Sequence, residues 1–261
     1  MSVLVLAIGA VALVGRTHNA VPVVSRCTFG STAGSGQYTI TPEQAQNAAI
    51  IAAVAFRKGL ADHAVTIALA TSMQETGLRN LSYGDLDSIG LFQQRPSQGW
   101  GTPAQILDPE YAASVFFDHL TQVAEWQAIP VTEAAQLVQH SASPNAYGAW
   151  ETEARSLARA LTGEVPAGLS CSLAGFSGAV PATTALAQAL TTEAGAQLMG
   201  VPLSTKTGWQ VADWAVAHAS SYHLTSVTFG GMVWTVASGT WAPTDASGPQ
   251  PTQGAVAVTQ A

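Results

Sequence analysis

Three short stretches carry residue types that could do chemistry together. The first is Ser72-Met73-Gln74-Glu75-Thr76-Gly77-Leu78, which ends an apolar segment holding Ile67, Leu69, Ala70 and Met73. A carboxyl at such a helix end projects into the mouth of the loop beyond it. Against apolar surface a carboxyl loses solvation of its charged form and keeps its proton nearer to neutral pH. Protonating a glycosidic oxygen needs a group of that kind. Taken alone, Glu75 has a plainer reading as a solvated helix-end residue or one that stabilises another helix. The second stretch is Gly90-Leu91-Phe92-Gln93-Gln94-Arg95-Pro96, and the third is Asn145-Ala146-Tyr147-Gly148. Just before the second lie Asp85 and Asp87. A hydrolase that splits a glycosidic bond needs an activated water, usually through a second carboxylate, and either Asp could serve. The alternative is that both bond nearby backbone N–H groups, as aspartates in Gly/Ser-rich loops commonly do. Phe92, Trp100 and Tyr147 offer flat faces on which a sugar ring could stack. Trp126 and Trp150 fall on helical segments and read as core, while Tyr83 fits either role.

In order and spacing these stretches resemble the lytic transglycosylases of the soluble type and the related goose-type lysozymes. That family has a Glu-Ser pair at a helix end, then Gly-Leu-Met-Gln, then Ala-Tyr-Asn-Ala-Gly. Here Glu75 takes the position of the catalytic acid/base and Thr76 replaces the Ser. Gly90-Leu91-Phe92-Gln93 stands for Gly-Leu-Met-Gln, and Ala146-Tyr147 keeps the tyrosine that lies beside the family's Glu. Gly148 replaces the Asn after it. The resemblance spans residues 40–162, and the loop 83–95 also looks like exported actinobacterial proteins of lysozyme-like type.

The resemblance implies a lysozyme-like helical domain acting on the glycan strands of peptidoglycan, with no cofactor and no metal. Glu75 would be catalytic, and Thr76, Phe92, Gln93 and Tyr147 would bind substrate. Glu75 would protonate the oxygen that links N-acetylmuramic acid (MurNAc) to N-acetylglucosamine (GlcNAc), and the substrate's acetamide would stabilise the cation. Glu75 would then take the C6 hydroxyl proton as a 1,6-anhydro sugar forms. One alternative is a muramidase that hydrolyses the same bond with help from Asp85 or Asp87. Another is a non-catalytic wall-binding or assembly protein, for example within a conjugation or secretion apparatus; Gly148 in place of Asn favours it.

The elements that must position these residues are mostly helical. Thr41-Pro42-Glu43-Gln44 reads as a capped helix start, with Thr as N-cap and Gln44 in the capping-box place. That helix runs to about Lys58, with Gly59 as its stop. A second, capped by Asp62, runs from about His63 to Thr76 and ends at Gly77. Residues 77–104 form a long ordered loop, a length that often marks function. Further helices are expected from Asp108 to about Ile129, from Thr132 to about His140, and from Asn145 to about Leu161. Residues 25–39 and 163–182, rich in Gly and Ser, read as linkers. A small α+β unit spans 183–241, with helices at 184–199 and 207–221. Its hairpin is Leu224–Phe229, Gly230-Gly231 and Met232–Val236. Residues 242–261 read as a disordered tail. The aromatics of this unit, Trp209, Trp214, Tyr222, Phe229, Trp234 and Trp241, suit a glycan-binding module. They equally suit the core that so small a unit needs. The fold class is thus mainly α, with a small α+β appendage.

Composition sets the remaining bounds. The 261 residues carry 9 basic and 16 acidic side chains, a net charge of −7. With no basic run, nothing offsets nucleic-acid phosphates. Val3–Val14 is an apolar run shorter than the ~20 residues that span a bilayer. It matches the core of a signal peptide or signal-anchor over residues 1–24, although no Lys or Arg precedes it. A secreted or envelope-associated protein is expected, touching membrane only through that anchor; its protein partners are unknown. The two cysteines, Cys27 and Cys171, then suggest one disulfide that encloses the catalytic segment; two unrelated buried thiols are the alternative. Arg26 argues against lipidation of Cys27. The six histidines lack metal-ligand spacing, and Asp85-x-Asp87 is too short for a helix–loop–helix calcium site. There is no Gly-x-Ser-x-Gly elbow and no phosphate-binding glycine loop.

Overall fold

The structure is a computed structural model that describes residues 24–31, 36–245 and 254–261. The expected leader lies outside the described residues. The described residues begin with β1 (Arg26–Ser31) and β2 (Gly36–Ile40), then α1 (Pro42–Arg57) and α2 (Asp62–Thr76). Next come α3 (Pro103–Ile106), α4 (Pro109–Leu120), α5 (Val131–Gln139), α6 (Glu151–Leu161) and β3 (Leu169–Ser172). The last part holds α7 (Thr183–Ala194), α8 (Thr205–Ala217), α9 (Ala219–Tyr222) and strands β4 (Leu224–Phe229), β5 (Met232–Thr235), β6 (Trp241–Pro243) and β7 (Ala257–Gln260). The architecture is mainly helical, with two small antiparallel sheets ordered β2-β1-β3 and β6-β5-β4-β7.

The first helix starts as its sequence predicts. Thr41 Oγ1 accepts from the Gln44 amide and Gln44 Oε1 accepts from the Thr41 amide, which closes the capping box. In α2 the cap is Ala61 rather than Asp62. Asp62 sits inside the first turn and its carboxylate pairs with Lys206 Nζ at 3.0 Å. Helix α4 stops at Leu120, nine residues short of the expected end at Ile129; turns come next, and they still bury Trp126. The segment before α6 is a 3-10 turn, Ala146–Trp150. The helix expected at 184–199 ends at Ala194, because Gly195 adopts a left-handed conformation there.

Neither expected linker is one. Residues 25–39 supply β1 and β2, and residues 163–182 supply β3. Their Gly/Ser content hides a period-two pattern in which Cys27 and Phe29, then Leu169 and Cys171, point inward and are buried. Cys27 lies opposite Cys171 across the β1–β3 ladder, and the two form a disulfide that joins positions 144 residues apart. The expected disordered tail also ends in structure, since β7 pairs with β4.

The C-terminal elements are not a separate unit. One continuous core runs from Cys27 to Val256. Buried Trp234 donates Nε1–H to Cys171 O at 3.2 Å, and Trp241 donates to Leu169 O at 2.8 Å. Asp213, fully buried, accepts from the amides of Gly168 and Leu169. Burial pushes its carboxyl well up, and those two N–H groups offset only part of the rise. The outer edge of β3 thus has its backbone groups satisfied by indoles and a carboxyl, which is what a buried sheet edge demands. Trp209, Trp214, Phe229 and Trp234 are core residues, so packing accounts for most of the aromatic content of this region.

Candidate active site

Glu75 stands on the last turn of α2, one of the most buried helices of the protein. The chain just beyond this turn is held by side chains from α1. Gln44 Nε2 donates to Gly77 O at 2.7 Å and Asn47 Nδ2 donates to Leu78 O at 2.8 Å. These bonds occupy carbonyls beyond the helix end and aim the chain into the long loop. Gly77 makes that turn with φ 63°, a conformation that favours glycine.

The loop folds back on α2. Ser72 Oγ and Thr76 Oγ1 both donate to Leu91 O, at 3.1 and 2.9 Å. Ile89 and Gln94 exchange backbone hydrogen bonds at 3.0 and 2.9 Å, which closes a tight turn over Gly90–Gln93. Gly90 is required there, because a Cβ would lie 2.6 Å from Ile106 O. At the tip Gln93 takes φ 48°, and its side-chain amide bends toward Tyr83 O at 3.3 Å.

Two side chains from distant segments meet the Glu75 carboxylate. Tyr147 Oη donates to Oε1 at 2.8 Å. Gln139 Nε2 donates to the same oxygen at 3.1 Å and to Phe92 O at 2.8 Å. Tyr147 is fully buried, and burial, then the Glu75 charge, push its hydroxyl well above the usual range. It therefore stays a proton donor at any physiological pH. Gln139 ends α5, and His140 turns the chain away in a left-handed conformation (φ 51°). Both donors engage Oε1, and among the described residues none bonds Oε2.

Beside Glu75 opens a polar cleft of about 340 Å³, lined among others by Asp85, Gln93, Arg95, Trp100, Gln139 and His140. Trp100 stacks on His119 with ring centres 4.1 Å apart. The structure thus brings Glu75, Gln93, Tyr147 and Asp85 to one place and moves three other candidates elsewhere. Phe92 is fully buried and stacked on Phe116 at 4.6 Å, so its ring face belongs to the core rather than to a sugar. Thr76 is buried, and its hydroxyl is spent on Leu91 O, Ser72 O and the Arg79 amide; it braces the loop instead of binding substrate. Asp87 has both carboxylate oxygens engaged by protein groups. Its Oδ1 accepts from Arg95 Nε at 2.6 Å and its Oδ2 from the Ser97 amide at 2.8 Å. The Arg95 guanidinium, then that amide, hold its carboxyl far below the usual carboxylate range.

Gln139 is the site residue that sequence reasoning missed. A glutamine near a helix end is an ordinary surface residue by type, and only its closeness in space to Glu75 marks it. Arg95 stands in the second of the three stretches, but its residue type alone gives it no role there. No protein-family model matches this chain, and no curated protein matches it.

Proposed function

We propose that this protein cleaves the glycosidic bond between MurNAc and GlcNAc in peptidoglycan glycan strands, with Glu75 as acid and then base. The observation that carries the reading is the hydrogen-bonded set Tyr147–Glu75–Gln139 at the wall of a polar cleft. Two N–H or O–H donors on Oε1 hold the negative end of the carboxyl there, which makes Oε2 the oxygen that delivers the proton when Glu75 acts as acid. That proton passes to the glycosidic oxygen as the C1–O bond breaks. The substrate's acetamide carries the developing charge at C1. The C6 hydroxyl then bonds to C1 and returns its proton to Glu75, which closes the cycle with a 1,6-anhydro product. A lysozyme-like arrangement of the helices and export to an oxidising compartment belong to the same proposal. The Cys27–Cys171 bridge supports the export, because such bonds persist outside the reducing cytosol. No helix among the described residues is long and apolar enough to cross a membrane.

Hydrolysis is the second reading, favoured by Asp85, whose exposed carboxylate lines the same cleft as Glu75. Water would replace the C6 hydroxyl and leave a reducing end. The test is a digest of purified peptidoglycan by the wild type and Glu75→Gln, read by mass spectrometry. Anhydro-muramyl ends from the wild type alone are the expected result, with Glu75→Gln reduced by at least ~100-fold. Reducing ends would transfer the second step to water and make Asp85→Asn the next variant. No release by either protein, with wall binding intact, would replace the enzyme by a binding protein.

A further inference from the structure

Among the described residues that line the Glu75 cleft, Arg95 alone is a Lys or Arg, while Glu75 and Asp85 are both acidic. A neutral glycan needs no cation in its groove. The guanidinium is also prepared on one side only. Asp87 Oδ1 takes the Nε edge at 2.6 Å, and Asp87 itself is pinned by the Ser97 amide. At the terminal end Nη2 meets Ser97 Oγ at 3.5 Å, the outer limit of a hydrogen bond, and no other described residue bonds that end. The side chain keeps 28% of its surface exposed. A fork held by its Nε edge, on a residue that lines the cleft, matches the geometry of a planar carboxylate bonded at two points. Asp87 cancels much of the long-range charge, so the remaining specificity lies in hydrogen-bond direction rather than in attraction at a distance.

We propose that Arg95 is a specificity-determining residue that binds a carboxylate on the glycan strand. This rests on the glycan-cleavage reading and deepens it. Two carboxylates meet the chemistry: the lactyl acid of a muramic residue stripped of its peptide, and an acid of the attached stem peptide. Without Arg95, either anion would face Glu75 and Asp85 with neutral donors such as Gln98 and Ser141 but no guanidinium in the cleft lining.

The test measures binding apart from turnover, using soluble glycan strands titrated by calorimetry into Glu75→Gln and into Glu75→Gln/Arg95→Gln. The strands come in three forms: peptide-bearing, the same with carboxylates amidated, and peptide-free with the lactyl acid exposed. The expected result is that Arg95→Gln raises the Kd about tenfold for carboxylate-bearing strands and leaves amidated strands unchanged. Sensitivity only with peptide-bearing strands assigns the stem-peptide acid, and sensitivity that persists on peptide-free strands assigns the lactyl acid. Arg95→Lys keeps the charge but loses the fork, so it is expected to recover only part of the affinity. Melting temperatures of all variants guard against a collapsed loop. Equal weakening on free and amidated strands would overturn the inference and leave Arg95 a brace for Asp87. Binding by the parent with no preference for carboxylate would overturn it while the cleavage reading stands. No binding of any strand would overturn both.

Discussion

Replacing Tyr147 by Phe removes one oxygen from the site and nothing else. The ring is fully buried and the substitution keeps its volume, so packing should survive. What disappears is the 2.8 Å bond to Glu75 Oε1. A hydrogen bond to a charged group contributes roughly 1.5–3 kcal/mol when no water replaces it. Glu75 is half-buried at the edge of an open cleft, so water recovers part of that, leaving about 1–2 kcal/mol. In rate, that is a loss of roughly 5–30-fold. The loss should fall on kcat more than on KM, because the hydroxyl touches the acid and not the sugar. Soluble fragments released from purified peptidoglycan over time give the rate, and thermal unfolding of the variant gives the control. In a Glu75→Gln background, strand binding should not change when Tyr147→Phe is added. The reasoning fails if Tyr147→Phe keeps full activity with an unchanged fold, since the carboxyl would then need no fixed orientation. It also fails if KM alone rises, since Tyr147 would then contact substrate directly.

The geometry leads to three further outcomes. The Cys27–Cys171 bridge closes a loop of 144 residues in sequence separation, worth about 5 kcal/mol by chain entropy, so replacing both cysteines by serine should lower the urea midpoint sharply. A loss below about 1 kcal/mol would mean that the bridge adds little constraint to an unfolded chain already restricted by residual structure. Asp87 has its folded carboxyl held below its unfolded value, so its stabilisation is present above about pH 4 and is lost as the pH falls further. Asp87→Asn should therefore melt earlier than the wild type at neutral pH, and the two melting curves should converge in acid. Phe92→Ala should cost about 3–5 kcal/mol in unfolding free energy, while Phe92→Leu should keep activity; a sugar-stacking ring would show the opposite, a stable protein with a raised KM.

Helix ends were the parts most legible in sequence. The Thr41 capping box, the Gly77 stop and the hairpin around Gly230-Gly231 are local events, and each was set by residues within a few positions of one another. The three-stranded sheet was not legible, because it joins residues 26–31 to residues 169–172, and strands so short carry only two inward side chains each. The same limit applied at the site. Glu75, Gln93 and Tyr147 stood in recognisable stretches, whereas Gln139 acts through a contact 64 residues away in sequence. Phe92 shows the opposite error. An aromatic residue in a functional-looking loop invites a binding role, but burial decides which face is available, and Phe116 had already taken it.

Gly148, where the motif that this stretch resembles has Asn, was the sequence feature that favoured a non-catalytic protein. In the fold it is exposed on the turn before α6, and a Cβ built there would lie 3.6 Å from Thr132 Cβ, an ordinary contact. Tyr147, one residue earlier, points the other way into the core and reaches Glu75 without help from position 148. The substitution therefore removes a side chain from the outer face of the turn and leaves the donor pair on Glu75 whole. The integrity of that pair depends instead on packing. The 3-10 turn, α5 and α6 all lie against α2, so Tyr147 and Gln139 are placed by helix contacts rather than by loop geometry. A carboxyl oriented in this way tolerates variation on the exposed side of the turn. Its sensitive positions are the buried ones, Tyr147 and the Leu91–Phe92 segment that Thr76 and Gln139 hold in place.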